Sequence, residues 1–173
     1  MTIKIVNKSK HPLPKYATPG SVAFDLTANL TDEFLAEAST HPIVEVDMEA
    51  KTLHLDYGDH ILIPTGIYLE IPEGYEAQIR PRSGLALKFG ATILNTPGTI
   101  DSDYRGEIGV IMAVPTADYK NTTDYGITIA DGDRIAQVVI SKVEKVEFEE
   151  VESLSETERG EGGFGSSGVK TEV

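Results

Sequence analysis

An all-β fold is what this sequence predicts: a sandwich or jelly-roll-like β-barrel subunit with a flexible C-terminal arm. Short apolar stretches recur through the first 151 residues, and most have the alternation or β-branched content of strands. Turn-forming residues, among them Pro64, Gly66, Pro72, Gly74, Pro81 and Pro97, cut these stretches apart. One segment alone, TDEFLAEAST at 31–40, has helical character. Many short strands with close punctuation favour a sandwich or barrel over alternating α/β units.

Taken in order, the expected strands are IKIV, then HILIPTGIYLEIP, YEAQIRP, IGVIMAV, YGITI, RIAQVVISKV and KVEFEEV. In EGYEAQIRP the residues Tyr75, Ala77 and Ile79 alternate with Glu76, Gln78 and Arg80, which predicts one buried and one wet face. The helical segment has Thr31 as an N-cap candidate and acidic residues in its first turn, and it reads as a short surface insertion. The last strand is expected to end near Val151, so residues 1–151 form the β-barrel domain and 152–173 the arm.

A chain of 173 residues with 40% hydrophobic and 25% charged residues suits a single domain with a real core. Cysteine is absent, which removes disulfides, thiolate metal sites and thiol redox chemistry. The start, MTIKIVNKSK, lacks the apolar region of a signal peptide, and no stretch is long enough to span a membrane, so a cytoplasmic protein without membrane partners is expected. A net charge of -13 argues against nucleic acid as a partner, because backbone binding needs a basic face. The four histidines, His11, His41, His54 and His60, show no ligand spacing and read as surface or packing residues.

Several segments carry possible chemistry. In NTPGTIDSDYRGE, residues 95–107, a calcium loop fails because Arg105 and Met112 stand where oxygen ligands belong. An aspartate there can be a general base for a bound water, or can hydrogen-bond turn amides. In IRPRSGLALKFG, the trio Arg82, Ser83 and Gly84 suits phosphate oxygens at the start of a helix near Ser83, and equally suits a capped surface turn. Gln137 interrupts the apolar run from Ile135 to Ile140, so it either faces solvent or has a defined partner. Arg134 either pairs with an aspartate or faces phosphate. The tail RGEGGFGSSGV, 159–169, has the glycine spacings of a dinucleotide turn and of a P-loop, but lacks the helix and the lysine that each requires.

Together, ATPGSVAFDL, PRSGLA, NTPGTIDSDYRGE, GDRIAQ and RGEGGFGSSG occur in the order and rough spacing of the motifs of homotrimeric dUTPases, and the sequence resembles that family from Ile3 to Val169. The resemblance implies a jelly-roll subunit in a trimer with shared active sites, hydrolysing dUTP to dUMP and diphosphate with Mg²⁺. It matches Asp101 to the aspartate that activates the attacking water, Tyr104 to the tyrosine that excludes a 2′-hydroxyl, and Asn95 to a uracil contact, with Thr99 also in the substrate site. Arg82, Ser83, Gly84 and Gln137 match phosphate-binding residues, and Asp25 an aspartate near the metal's water shell. In the tail, Phe164 matches the aromatic over uracil, and Arg159, Gly165, Ser166 and Ser167 match a lid on the terminal phosphate.

Two departures stand out. Val22 and Ala23 are bulkier than the usual residues of the first motif, and the segments 29–56 and 114–126 are longer than usual. A dCTP deaminase of the same fold, or a bifunctional one, is the alternative enzyme, against which DSDY and the complete tail argue. A non-catalytic regulatory trimer is the other, and it would leave Asp101, Arg159 and Phe164 without a purpose.

Overall fold

The computed structural model of the chain describes residues 1–115 and 126–163. Its strands in order are β1 (Lys4–Asn7), β2 (Ala23–Thr27), β3 (Val44–Asp47), β4 (Thr52–Leu55), β5 (His60–Pro64), β6 (Ile67–Glu70), β7 (Tyr75–Arg80), β8 (Thr92–Ile93), β9 (Gly98–Ile100), β10 (Gly109–Ala113), β11 (Ile127–Ala130) and β12 (Arg134–Lys142). Two short helices, α1 (Asp32–Ala38) and α2 (Ser83–Phe89), interrupt them. The strands form small sheets in the orders β1-β6, β5-β10-β8, β11-β4-β3 and β2-β12-β7-β9, and the paired strands run antiparallel. This is the all-β, jelly-roll-like architecture that the alternation predicts.

The core between these sheets is aliphatic. Leu26, Leu53, Leu55, Ile63, Ala77, Ile79, Ile93, Val110, Met112, Ile129 and Val138 are all buried in one cluster. The apolar stretch HILIPTGIYLEIP divides into β5 and β6 because Gly66 turns between them at φ +69°. A Cβ there would lie 2.6 Å from the backbone N of Ser9, so both conformation and space require glycine.

The helical segment at 31–40 folds as expected at its start, since the Thr31 side chain accepts from Phe34 N at 3.1 Å. It is not a surface insertion. Leu35 and Ala38 are buried and Leu35 belongs to the main core, so the amphipathic period of DEFLAEA anchors the helix inward. The long segment 29–56 likewise holds β3 and β4, whose Leu53 and Leu55 are core residues.

KVEFEEV is a second correction. β12 ends at Lys142, and residues 144–161 are exposed without forming a strand. Alternation marks two faces but cannot supply a partner edge, and among the described residues this segment pairs with none. Phe148 is 96% exposed and Leu154 87%. The unusual Val22 of the first motif is exposed before β2, whereas Ala23 opens that strand opposite Val139. Of the long segment 114–126, residues 116–125 lie outside the described residues.

Candidate active site

Strand register builds the first half of the site. In the sheet β2-β12-β7-β9, Gln137 lies directly opposite Asp25 on one side and Arg80 on the other. Gln78 lies opposite Thr99. Opposed residues share a sheet face and alternate residues return to it, so Asp25, Gln137, Arg80, Gln78 and Thr99 project from one face. Their neighbours Leu26, Ala136, Val138, Ala77 and Ile79 are buried on the other.

Arg134 joins the polar face through an irregularity. It opposes Thr27 and Ala136 opposes Leu26, so β12 carries a bulge at Ile135. Residues three apart in a regular strand face opposite ways; the bulge puts Arg134 and Gln137 on the same side.

Asp25 then joins two arginines. Its Oδ1 accepts from Arg82 Nε at 3.0 Å and its Oδ2 from Arg134 Nη1 at 3.1 Å. Arg82 Nη1 also donates to the Arg134 carbonyl at 2.9 Å. Arg82 occupies the N-cap position of α2 without a side-chain cap bond, and Ser83 and Gly84 are exposed in the first turn. Of the two alternatives for Gln137, the structure shows a defined partner: its Nε2 donates to Pro81 O at 2.8 Å. Beside it opens a cavity of about 530 Å³ lined by Gln78, Arg80, Ser83, Thr96 and Gln137. The cavity thus offers a guanidinium, a hydroxyl and an amide, groups that can meet an anion, while Arg82 and Arg134 are held by Asp25 opposite Gln137.

The second half lies on the loop after β9. Asn95, Ile100 and Tyr104 line a different cavity of about 700 Å³, together with Phe34 and His41 from the α1 region and with Glu107. Tyr104 Oη donates to the Glu107 carbonyl at 2.9 Å, and the ring lies over Gly106, where any Cβ would overlap it. Asp101 is exposed at the start of this loop, and its carbonyl accepts from Tyr104 N at 3.2 Å.

Arg159 lies on the exposed arm, its Nε donating to Gly162 O at 2.8 Å. The remaining tail residues, Phe164, Gly165, Ser166 and Ser167, fall outside the described residues. Thus the residues expected to hold phosphate converge, those expected to hold the nucleoside converge separately, and Arg159 lies on the arm. Sequence reasoning missed Arg80 and Gln78 in the phosphate-side cavity, where Arg80 Nη2 donates to Gln78 Oε1 at 2.5 Å. Their signal was the polar phase of the alternation in YEAQIR.

Among the described residues no group of three or more His, Asp or Glu side chains could hold a metal ion. Asp25 is engaged by arginines through both carboxylate oxygens. His11 pairs with Asp131 at 2.9 Å, and His54 meets Thr128 at 2.9 Å.

Fold and site together define a β protein with a cavity lined by Arg80, Ser83 and Gln137 and a separate one walled by Phe34 and Tyr104. Residues 47–168 match the dUTPase family model. The deoxyuridine 5′-triphosphate nucleotidohydrolase of Finegoldia magna is 49% identical over 97% of this chain and 99% of its own. That of Fusobacterium nucleatum is 45% identical over 96% of each. Among solved structures, a Staphylococcus bacteriophage 80alpha dUTPase with dUPNHPP is 27% identical, with a TM-score of 0.74 over 97% of this chain and 99% of that one. The chain belongs to the dUTPase family.

Proposed function

We propose that the protein hydrolyses dUTP to dUMP and diphosphate, lowering dUTP and supplying dUMP for thymidylate synthesis. The observation that carries this reading is a sheet face where Asp25, holding Arg82 and Arg134, lies opposite Gln137, which lines a cavity with Ser83 and Arg80, in a chain aligned almost end to end with named dUTPases. Arg82, Ser83, Gly84 and Gln137 take the phosphate chain, Asn95 meets uracil, Tyr104 walls the deoxyribose, and Thr99 also contacts the substrate. Asp101 accepts a proton from water as its oxygen bonds to the α-phosphorus. The bond from that phosphorus to the bridging oxygen breaks, and diphosphate leaves.

The described residues do not fit a metal caged by the protein, because Asp25 is committed to two arginines. They fit Mg²⁺ carried in by the triphosphate, where the ion supplies charge neutralisation. Asp25 is here the anchor of the guanidiniums that meet the same phosphates.

The two cavities on one chain are completed in a homotrimer. Its support is the exposed segment after β12, whose Val146, Phe148, Val151 and Leu154 are uncovered in the single chain and gain cover on a neighbour. Residues 152–173, with Arg159, Phe164, Gly165, Ser166 and Ser167, act as a lid, and 1–151 as the catalytic body. No described helix is long and apolar enough to cross a membrane.

Diphosphate release from dUTP, dCTP, dTTP and UTP, compared under Mg²⁺, tests the reading. Release confined to dUTP is expected. Ammonia from dCTP would replace it with a deaminase, and inactivity on all four with a binding protein.

A further inference from the structure

Tyr104 sits on a loop without regular strand, from Asp101 to Glu107, and something must hold it to the body of the fold. Glu107 makes that attachment. Its Oε1 accepts from Thr65 N at 3.1 Å and from Gly66 N at 2.7 Å, and its Oε2 from Tyr68 Oη at 3.2 Å. Thr65 and Gly66 are buried in the turn between β5 and β6, so their amides need an acceptor in place of water. The next residue is fastened to the same turn: Thr65 Oγ1 donates to Ile108 O at 2.5 Å, and Ile108 N to Ile67 O at 2.8 Å. Tyr104 Oη in turn donates to the Glu107 carbonyl at 2.9 Å. One residue thus grips the tyrosine through its main chain and the protein body through its side chain.

We infer that Glu107 is a positioning residue that fixes the Tyr104 ring and, through it, the choice of deoxyribose over ribose. This rests on the reading of Tyr104 as the wall of the sugar pocket. Glu107 works by reach and acceptor capacity rather than by charge. Both amides need only one oxygen, and the Tyr68 hydroxyl can reverse to accept from an amide. Gln therefore substitutes for it, while Asp is one methylene too short to span the same donors and Ala has none.

The experiment measures kcat and KM for dUTP and UTP, with melting temperature, in wild type and in Glu107→Gln, Glu107→Asp, Glu107→Ala and Tyr104→Ala. A purely structural role lowers both substrates alike; a positioning role changes their ratio. The ratio of kcat/KM for dUTP over UTP is expected within about twofold of wild type in Glu107→Gln, and to fall by about tenfold or more in Glu107→Asp and Glu107→Ala. Glu107→Asp keeps the test alive where Glu107→Ala does not fold. An unchanged ratio in the folded Asp or Ala variant, with a collapsed ratio in Tyr104→Ala, overturns the role of Glu107 alone. A Gln variant as impaired as Ala also overturns it. An unchanged ratio in Tyr104→Ala overturns the sugar-wall reading itself and the inference with it.

Discussion

Asp25 holds Arg82 at 3.0 Å through one carboxylate oxygen while its other oxygen holds Arg134 at 3.1 Å, so two cations that would repel each other share one anion. The cluster is partly exposed, which makes it a weak contributor to stability and a strong one to geometry. Asp25→Ala is expected to lower kcat/KM for dUTP by about tenfold to a hundredfold, mainly through KM, because the guanidiniums lose their shared anchor. Melting temperature is expected to move by a few degrees at most. Steady-state kinetics beside a thermal melt checks both halves, and a large melt shift with unchanged kinetics would reassign Asp25 to the fold.

Asp101→Asn keeps the size and one acceptor of the side chain but cannot take a proton. Loss of turnover by about a hundredfold to ten-thousandfold is expected, with binding of a non-hydrolysable dUTP analogue largely kept. Calorimetric titration with the analogue separates this from collapse of the loop, which would remove binding as well.

Much of this architecture is legible in the sequence. Alternation of Ala77 and Ile79 with Gln78 and Arg80 tells both the buried face and the polar one, and the Thr31 cap marks where α1 begins. The pairing of Asp25 with arginines 57 and 109 residues away is not, because register between distant strands is a tertiary property. Nor is the bulge at Ile135, which alone lets Arg134 and Gln137 face the same way. KVEFEEV misleads for the complementary reason: it has the pattern of a strand, but among the described residues it pairs with no edge. Glu107 is silent in the sequence, since nothing in DYRGE points to amides at 65 and 66.

Gly106 gives the Tyr104 ring its place, because a Cβ at 106 would overlap the phenol. Gly106→Ala is expected to raise KM for dUTP by about tenfold while leaving the fold within about 1–3 kcal/mol of wild type. Urea unfolding with kinetics on the same preparation tests it, and an unaltered KM would show that the ring can shift without consequence.

The arm makes a contrasting case. Residues 144–161 are exposed, and no core side chain comes from them. A chain ending after Glu158 should therefore melt within a few degrees of the full chain yet lose most of its dUTP turnover, because Arg159 and the residues that follow are missing. Full activity in the shortened chain would refute the lid.

Asp131 carries the clearest pH dependence. Its side chain is 8% exposed, and burial alone would push its pKa up. Lys10 Nζ at 2.6 Å, His11 Nε2 at 2.9 Å and Leu30 N at 2.9 Å favour the carboxylate more strongly and hold the pKa below the ordinary aspartate value. A carboxyl whose pKa is lower folded than unfolded adds stability above the unfolded value, near 3.9, and that stability is lost as pH falls through the folded one. Asp131→Asn keeps an acceptor for Leu30 N but not the charge, and should cost about 1–3 kcal/mol at pH 7. The gap between the two proteins should then narrow as pH drops from about 5 toward 2. Urea unfolding across that range measures it, and a gap constant with pH would show that the Asp131 charge does not stabilise this corner of the fold.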